Sequence, residues 1–349
     1  MNGSEFTNVV LAWYDEGHRD LPWRHTKDAY RIWISEIMLQ QTQAGTVVSY
    51  YERFLEKYPT VFHLADAPEE DVLKSWEGLG YYSRARSLQK AARMIVSEFG
   101  GELPADVARL RSLPGVGDYT AGAIASIAFG IPAAAVDGNV ERVICRYYGI
   151  EDTVGTPAVR RRITEMTQAL VPAHRPGAFA NAMMEMGATM CTPRNPACLL
   201  CPVRETCQGF AKGIAQELPH KPQKKAQRVE NRAVLLVFCR DRVLITKRKE
   251  KLLGGLFVFP DVLEENDPAK LCAALEEAGV HAAYDERIGR AKHVFTHLIW
   301  EMDVHALLAE HMTDVPDGQW VTRAELEALP LPTAVKAARQ WAMERLGSR

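Results

Sequence analysis

The sequence contains no uninterrupted apolar run near the ~20 residues that cross a bilayer, and residues 1–20 are acidic and amphipathic, unlike a signal peptide. It also lacks an excess of charge of one sign, since 42 basic and 44 acidic side chains leave a net charge of −2 over 349 residues. We therefore expect a cytoplasmic protein without a membrane partner. Because a globally basic field is missing, any contact with nucleic acid must be local.

The character of the sequence changes once, near residue 216. Before it, apolar residues recur at three- and four-residue spacing and no convincing alternating strand is found, which predicts an all-helical domain over 1–215. The segment 216–228 carries four basic side chains, one acidic side chain and two prolines, which is typical of an extended linker. Residues 229–349 are expected to form an α+β domain, with a β-hairpin at 232–239 and 242–248, a strand at 297–306 and helices at 268–278 and 333–346.

Cysteine is sparse outside one segment, which holds four of the seven cysteines. Without a secretion signal, such a cluster indicates a metal site rather than a disulfide framework. Zinc accepts four thiolates, but its sites usually pair two short-spaced knuckles, and this spacing does not divide that way. An iron–sulfur centre is therefore favoured over zinc, and four unrelated buried cysteines are the third reading. The spacing is Cys191-x6-Cys198-x2-Cys201-x5-Cys207.

Residues 105–125 have the pattern of two helices joined by a tight hairpin. A short predicted helix at 105–112 runs into Leu113-Pro-Gly115-Val-Gly117 and then into a helix of small residues. Glycines permit a turn with φ > 0 and leave backbone N–H groups bare at a helix N-terminus, an arrangement suited to a phosphodiester. An ordinary interhelical turn is the alternative, since such turns often contain glycine.

Several motifs, taken in order, resemble the endonuclease III family of DNA glycosylases. They are the 105–125 hairpin, the segment Val136-Asp137-Gly-Asn139 about twenty residues later and the four-cysteine loop. Within that family, residues 33–43 and 78–86 are similar to the MutY-type adenine DNA glycosylases. The resemblance extends into the second domain. It implies an all-α helix-hairpin-helix domain with one 4Fe–4S cluster on the loop 191–207, followed by a Nudix-like domain at 229–349.

The resemblance also implies an activity. It predicts a monomeric, monofunctional glycosylase that acts on double-stranded DNA and removes adenine opposite 8-oxoguanine or guanine. Hydrolysis of a glycosidic bond needs an acid for the leaving group and a carboxylate facing the oxocarbenium ion. The family pattern assigns Glu36 as the acid and Asp137 as the oxocarbenium-stabilising carboxylate.

The sequence around both carboxylates suits these roles, although each has a simpler interpretation. Glu36 lies in a predicted helix among Trp33, Ile34 and Ile37, and an apolar setting raises the pKa of a carboxyl group. The simpler interpretation is a solvated glutamate on a helix face. Asp137 follows an apolar stretch and precedes a helix, where it is also a candidate N-cap.

Tyr119 bears on the type of reaction. In lyase members of the superfamily the matching position holds a lysine that forms a Schiff base with the sugar, which tyrosine cannot do. The resemblance therefore implies that Tyr119 hydrogen-bonds near Asp137 and that Asn139 orients Asp137. A packed aromatic residue without a role is the alternative for Tyr119.

Base chemistry inside a duplex requires extrusion of the base and a residue that fills the gap. By resemblance, Leu39, Gln41 and Tyr81 lie at or near the family's wedge. Arg24 is the candidate contact to the flipped adenine, and Asn181, where relatives can carry an acidic residue, is left without a role.

The second domain is expected to read the opposite base. Relatives use a Phe-Ser-His loop for 8-oxoguanine, and Phe295-Thr296-His297 matches it with threonine in place of serine. A hydroxyl and an imidazole suit base edges, and the phenyl ring suits stacking. The alternative is a strand start with a core phenylalanine and two surface polar residues.

The sequence also bears on three other functions. A bifunctional glycosylase/lyase is disfavoured by Tyr119, and a non-catalytic iron–sulfur DNA-binding protein is disfavoured by the presence of both carboxylates. A Nudix hydrolase would need Arg and Glu ahead of Glu276-Glu277-Ala-Gly279, but Cys272 and Ala273 stand there. We therefore expect no metal-dependent pyrophosphatase activity.

Overall fold

The computed structural model describes residues 3–223, 226–250 and 252–347. The chain divides into two compact units, one of Met1–Ala67 with Ser83–Gln223 and one of Pro68–Tyr82 with Lys224–Arg349. No helix in the described ranges is long and apolar enough to span a membrane.

The first unit is helical throughout its described residues, as the apolar spacing predicted. The ends of its helices are capped. Asp106 and Thr156 each accept a backbone N–H at a helix start, and Gly130 and Gly149 end two helices in the left-handed conformation. The α-helices are α1 Gly3–Glu16, α2 Ala29–Leu39, α3 Ala44–Lys57, α4 Val61–Asp66, then, after α5 of the second unit (Glu69–Ser75), α6 Ser83–Phe99, α7 Val107–Ser112, α8 Asp118–Phe129, α9 Gly138–Tyr148, α10 Pro157–Leu170, α11 Pro176–Glu185 and α12 Gln208–Ala211.

The cysteine segment lies at the end of this unit and packs on one of its cores. Helix α11 continues as a π-helical turn, Met186–Met190, and two 3₁₀ turns follow at Cys198–Leu200 and Arg204–Thr206. Phe6, Val143 and Phe179 belong to the buried cluster against which Cys191, Cys201 and Cys207 pack.

The predicted linker is packed over its first part. Leu218 is buried and its carbonyl accepts Arg146 Nε at 2.9 Å, while the His220 carbonyl accepts the backbone N–H of Val154 at 2.8 Å. Lys224 and Lys225 lie outside the described residues. A strand already begins at Arg228, so the extended part is shorter than the composition suggested.

The second unit contains a seven-stranded mixed sheet with the path β3-β2-β1-β6-β5. The predicted hairpin is confirmed as β1 and β2, and the predicted strand at 297–306 is the longer β6, which pairs parallel with β1. The sequence analysis missed β5 because its residues alternate without a clear apolar face. The elements are β1 Arg228–Cys239, β2 Arg242–Lys247, β3 Phe257–Val258, β4 Asp261–Leu263, α13 Pro268–Glu277, β5 Ala282–Val294, β6 Leu298–Ala309, β7 Gly318–Val321, α14 Arg323–Ala328 and α15 Lys336–Gly347.

Strand β1 explains why this sheet has two cores. Val234 and Leu236 face one buried cluster, with Trp300, while Leu235 and Val237 face the other, with Leu271. A strand buried on both faces reads as a continuous apolar run, which is how it appears in the sequence.

The segment Pro68–Tyr82 packs within the second unit, although it lies within the helical part of the sequence. Lys74 Nζ donates to the carbonyls of Glu327 and Leu329 at 2.7 and 3.1 Å, and Glu77 pairs with Arg339. Both contacts join positions more than 250 residues apart, which no local pattern signals.

Candidate active site

A cleft of about 810 Å³ lies in the first unit and is lined by residues from helices α2, α8, α9 and α11. It brings together residues that the sequence analysis had proposed from separate motifs. They are Arg24, Glu36, Leu39, Gln41, Tyr119, Asp137, Asn139 and Asn181.

Glu36 lies on the buried face of α2 and is only 3% exposed. Asp28 begins this helix by accepting the N–H of Arg31, and the apolar residues around Glu36 pack inward. Burial is the main cause that raises the pKa of Glu36, to about 7, with the charge of Asp137 acting in the same direction. A hydrogen bond from Tyr119 and the charge of Arg24 oppose the rise. The expectation of a buried glutamate is therefore confirmed, and the solvated interpretation is wrong.

Tyr119 does not make the hydrogen bond that was expected of it. Its hydroxyl donates to Glu36 Oε2 and also lies 3.3 Å from the sulfur of Met184. The expected hydrogen bond near Asp137 is not the one formed, because Tyr119 lies in the first turn of α8 and reaches across to α2 instead. Burial, together with the neighbouring carboxylates Glu36 and Asp137, raises the pKa of this phenol well above its usual value. Tyr119 therefore stays neutral and serves as a donor.

Asp137 is the N-cap of α9, and this cap coexists with exposure to the cleft. Its Oδ1 accepts the backbone N–H groups of Asn139 and Val140 at 2.9 and 2.8 Å. Its Oδ2 accepts Asn139 Nδ2 at 2.7 Å, so Asn139 does orient the carboxyl group as expected. Burial raises the pKa of Asp137, and these three hydrogen bonds act against the rise.

Arg24 lines the cleft, but two of its nitrogens bond to protein groups. One donates to the carbonyl of Arg19 at 2.8 Å and the other to Glu185 Oε2 at 2.6 Å. The sequence analysis missed Glu185, which is buried at the end of α11. The family pattern selected Glu36, and an apolar helical setting supported it. The same setting, among Met183, Met184 and Met186, marks Glu185.

The wedge candidates Gln41 and Tyr81 share an unusual backbone. Their φ angles are 59° and 48°, in the left-handed region that side-chain-bearing residues rarely adopt. Such strain often occurs at functional sites. Gln41 follows α2, whose last carbonyls, of Ile37 and Met38, accept Arg84 at 2.9 and 3.0 Å.

The 105–125 hairpin forms between α7 and α8, and α7 begins two residues later than predicted. Gly115 has a φ of 80°, and a Cβ there would lie 2.7 Å from Ser87 Cβ, so this position requires glycine. Gly117 has a φ of −92° and is the N-cap of α8. The expectation of φ > 0 therefore holds for the first glycine and is wrong for the second.

A wedge candidate, Tyr81, and an opposite-base candidate, Thr296, meet within the second unit. The hydroxyl groups of Tyr81 and Thr296 lie 2.8 Å apart. Phe295, Thr296 and His297 form the tight turn between β5 and β6, closed by the Phe295 N–H bond to the Leu298 carbonyl at 2.8 Å. Phe295 is partly buried edge-to-face on Trp300 at 5.0 Å, as the packing alternative predicted, whereas Thr296 and His297 are exposed.

The four clustered cysteines line a single cavity. They are not joined by disulfides, and no group of three or more His, Cys, Asp or Glu side chains among the described residues is arranged to hold a metal ion. The donor set nevertheless fits an iron–sulfur centre, because four thiols from one loop face a common space.

Two buried arginines of α9, which the sequence analysis missed, hold the backbone of this cysteine loop. Arg146 donates to the carbonyl of Thr192 at 2.7 Å and to Cys191 Sγ at 3.4 Å. Arg142 donates to the carbonyl of Cys191 at 2.7 Å and to Asn139 Oδ1 at 2.9 Å.

Comparison with known families agrees with this arrangement. Residues 34–169 match the HhH-GPD superfamily of base excision DNA repair proteins, 191–207 the iron–sulfur binding domain of endonuclease III, and 233–340 the NUDIX domain. The adenine DNA glycosylase of Homo sapiens is 36% identical over 95% of this chain and 72% of its own length. This chain belongs to the adenine DNA glycosylase family. A relative of the same name from Buchnera aphidicola subsp. Baizongia pistaciae is 34% identical over 75% of each chain.

Solved structures agree for the helical part. A thermostable thymine-DNA glycosylase is 33% identical, with a TM-score of 0.55, over 60% of this chain and 97% of its own. A trapped endonuclease III–DNA covalent intermediate is 26% identical, with a TM-score of 0.53, over 61% and 99%. The adenine DNA glycosylase resemblance and the predicted fold class are thus confirmed. The chain is a DNA-binding enzyme of base excision repair that hydrolyses N-glycosyl bonds, and it carries an iron–sulfur binding motif.

Proposed function

We propose that this adenine DNA glycosylase acts on adenine mispaired with 8-oxoguanine, and with guanine, and that it acts as a monomer without lyase activity. The observation that carries the proposal is a pair of carboxyl groups, the buried Glu36 and the half-buried Asp137, on one cleft of a size to hold an extruded base.

Glu36 is the general acid in this proposal. Because burial raises its pKa to about 7, Glu36 is available in its protonated form near neutral pH and can give a proton to a ring nitrogen of the departing adenine. Tyr119 donates to one carboxyl oxygen, which leaves the other oxygen to carry the acidic proton.

Asp137 is the carboxylate that faces the developing positive charge on the sugar. The three hydrogen bonds from Asn139 and Val140 favour its charged form despite burial. They also fix the direction of the carboxylate before DNA binds. This preorganised charge is worth most in a site from which water is excluded.

Tyr119 supports the absence of lyase chemistry. Formation of a Schiff base requires an amine beside the sugar, and the side chain at this position is a phenol bonded to Glu36. Water is then the nucleophile that completes the reaction.

Recognition of the opposite base is proposed for Tyr81, Thr296 and His297. The Tyr81–Thr296 hydrogen bond holds two hydroxyl groups together on an exposed surface, where they can exchange partners with a base edge. Gln41 and Leu39, at the end of α2, fill the space of the extruded adenine.

The cysteine loop is proposed to hold one 4Fe–4S cluster through Cys191, Cys198, Cys201 and Cys207. The cluster would supply a rigid, charged centre that organises the loop. No ligand position would remain open for water, so the cysteines take no part in hydrolysis.

The proposal is tested by Asp137→Asn with Asp267→Asn as a matched control. Asp267 caps α13 through the N–H groups of Ala269 and Lys270, the same geometry as the cap of α9. Asparagine preserves both caps but removes the charge. In single-turnover adenine release from an 8-oxoguanine:adenine duplex we expect at least a ~10²-fold loss for Asp137→Asn and no loss for the control. Equal rates for the two variants would overturn the assignment of Asp137.

A further inference from the structure

Glu185 is a carboxylate buried at the end of α11, with 2% exposure. Burial alone would raise the pKa of Glu185, but hydrogen bonds from Arg19 and Arg24 lower it to about 2. The group is therefore ionised, and its charge is matched by two arginines that come from the segment ahead of α2.

The two arginines hold Glu185 from different sides. Arg19 forms a fork, with Nε 2.8 Å from Oε1 and a terminal nitrogen 2.7 Å from Oε2, and its side chain is 43% exposed. Arg24 donates to Oε2 at 2.6 Å and is 7% exposed. Arg19 thus faces solvent, whereas Arg24 is the inner partner.

Arg24 is also a cation of the active-site cleft, which Arg19 lines as well. It lines the cleft with Glu36 and Asp137, and its charge acts on Glu36. A guanidinium group has five N–H donors. In Arg24 only the two terminal nitrogens bond to protein. The third nitrogen, Nε, is buried without a hydrogen-bond partner among the described residues.

We propose that Glu185 is a positioning residue, which fixes the Arg24 guanidinium at the cleft wall so that its charge and remaining donors face the acceptor nitrogens of the flipped base. This inference rests on the proposed function, since it needs a base in this cleft. The competing interpretation is purely structural: Glu185 and Arg19 join α11 to the segment ahead of α2, and Arg24 is incidental.

A double-mutant cycle separates these interpretations, because a residue that acts only through another has no further effect once that partner is gone. We would measure single-turnover adenine release for wild type, Glu185→Gln, Arg24→Met and the double variant of the full chain. We expect each single variant to lose 10- to 100-fold and the double variant to match Arg24→Met within about threefold. If the loss of rate in the double variant equals the product of the two single losses, the proposal is overturned.

Two further variants guard against a folding artefact. Asp15→Asn removes the surface partner of Arg175 at the other end of α11 and should leave the rate unchanged. Glu185→Asp keeps the charge but shortens the side chain by one methylene group, which withdraws the carboxylate from Arg24, so it should slow release several-fold. If Glu185→Gln does not fold, a wild-type rate for Glu185→Asp overturns the proposal.

Failure of this inference is distinguishable from failure of the proposed function. If wild type releases adenine and Asp137→Asn does not, but the cycle is multiplicative, only the role of Glu185 is wrong. If Asp137→Asn remains active, the reaction does not use this cleft as proposed.

Discussion

Glu36→Gln should lower activity and should also remove a loss of stability that the wild type suffers as pH rises. In the folded protein the pKa of Glu36 is raised from 4.5 to about 7, mainly by burial. Between these values the folded state binds more protons than the unfolded state, so the free energy of unfolding of the wild type falls as pH rises. Because glutamine does not titrate, the variant does not lose unfolding free energy in this way as pH rises.

The magnitude follows from the shift. A displacement of about 2.5 pKa units corresponds to about 3 kcal/mol as an upper bound, present in full above pH 7 and absent below pH 4.5. The glutamine amide also adds donors that need an acceptor, at a cost of about 1–3 kcal/mol that does not depend on pH. The pH-dependent difference between variant and wild type is therefore the quantity to measure.

The assay compares thermal unfolding of both proteins from pH 5 to pH 8, with Glu52→Gln, an exposed position on α3, as control. About 2.5 kcal/mol of this difference develops between pH 5 and pH 8. We therefore expect the melting temperature of Glu36→Gln, relative to wild type, to rise by at most roughly 5–10 °C across this range, at 2–4 °C per kcal/mol. The control should show no trend. A constant difference from pH 5 to pH 8 would refute the buried, protonated state of Glu36, whatever the loss of activity.

Three other predictions address the remaining parts of the site. Tyr119→Lys should gain an adduct with DNA that borohydride traps; absence of any adduct would mean that position 119 does not face the sugar. Cys198→Ser should lower bound iron and the yield of folded protein, because cluster binding is coupled to folding of the loop, whereas one zinc and no iron in wild type would contradict the cluster. Thr296→Val removes a hydroxyl group at nearly constant shape and should reduce the ratio of rates on 8-oxoguanine:adenine over guanine:adenine; an unchanged ratio would remove Thr296 from the reading of the opposite base.

The sequence predicted those parts of the site that local patterns encode. The burial of Glu36 followed from its apolar neighbours in α2, and the N-cap at Asp137 from an aspartate that precedes a helix. Gly115 was predicted from hairpin spacing, and the structure shows that a Cβ there would collide with Ser87.

The parts that the sequence did not reveal depend on contacts between distant positions. The Tyr119 hydroxyl was assigned to the wrong carboxyl group because two acceptors lie near one another only after folding. Glu185 takes its partners from residues more than 160 positions away. Tyr81 meets Thr296 across 215 positions, a pairing that single-residue patterns do not encode.

The central claim is that this enzyme releases adenine opposite 8-oxoguanine by hydrolysis in the Glu36–Asp137 cleft, without cutting the strand. Single-turnover incubation with an end-labelled 8-oxoguanine:adenine duplex, analysed with and without alkali, tests it most directly. We predict free adenine, with strand breaks only after alkali, and loss of both in Asp137→Asn. Strand breaks without alkali, or no release of adenine by the wild-type protein, would contradict the account.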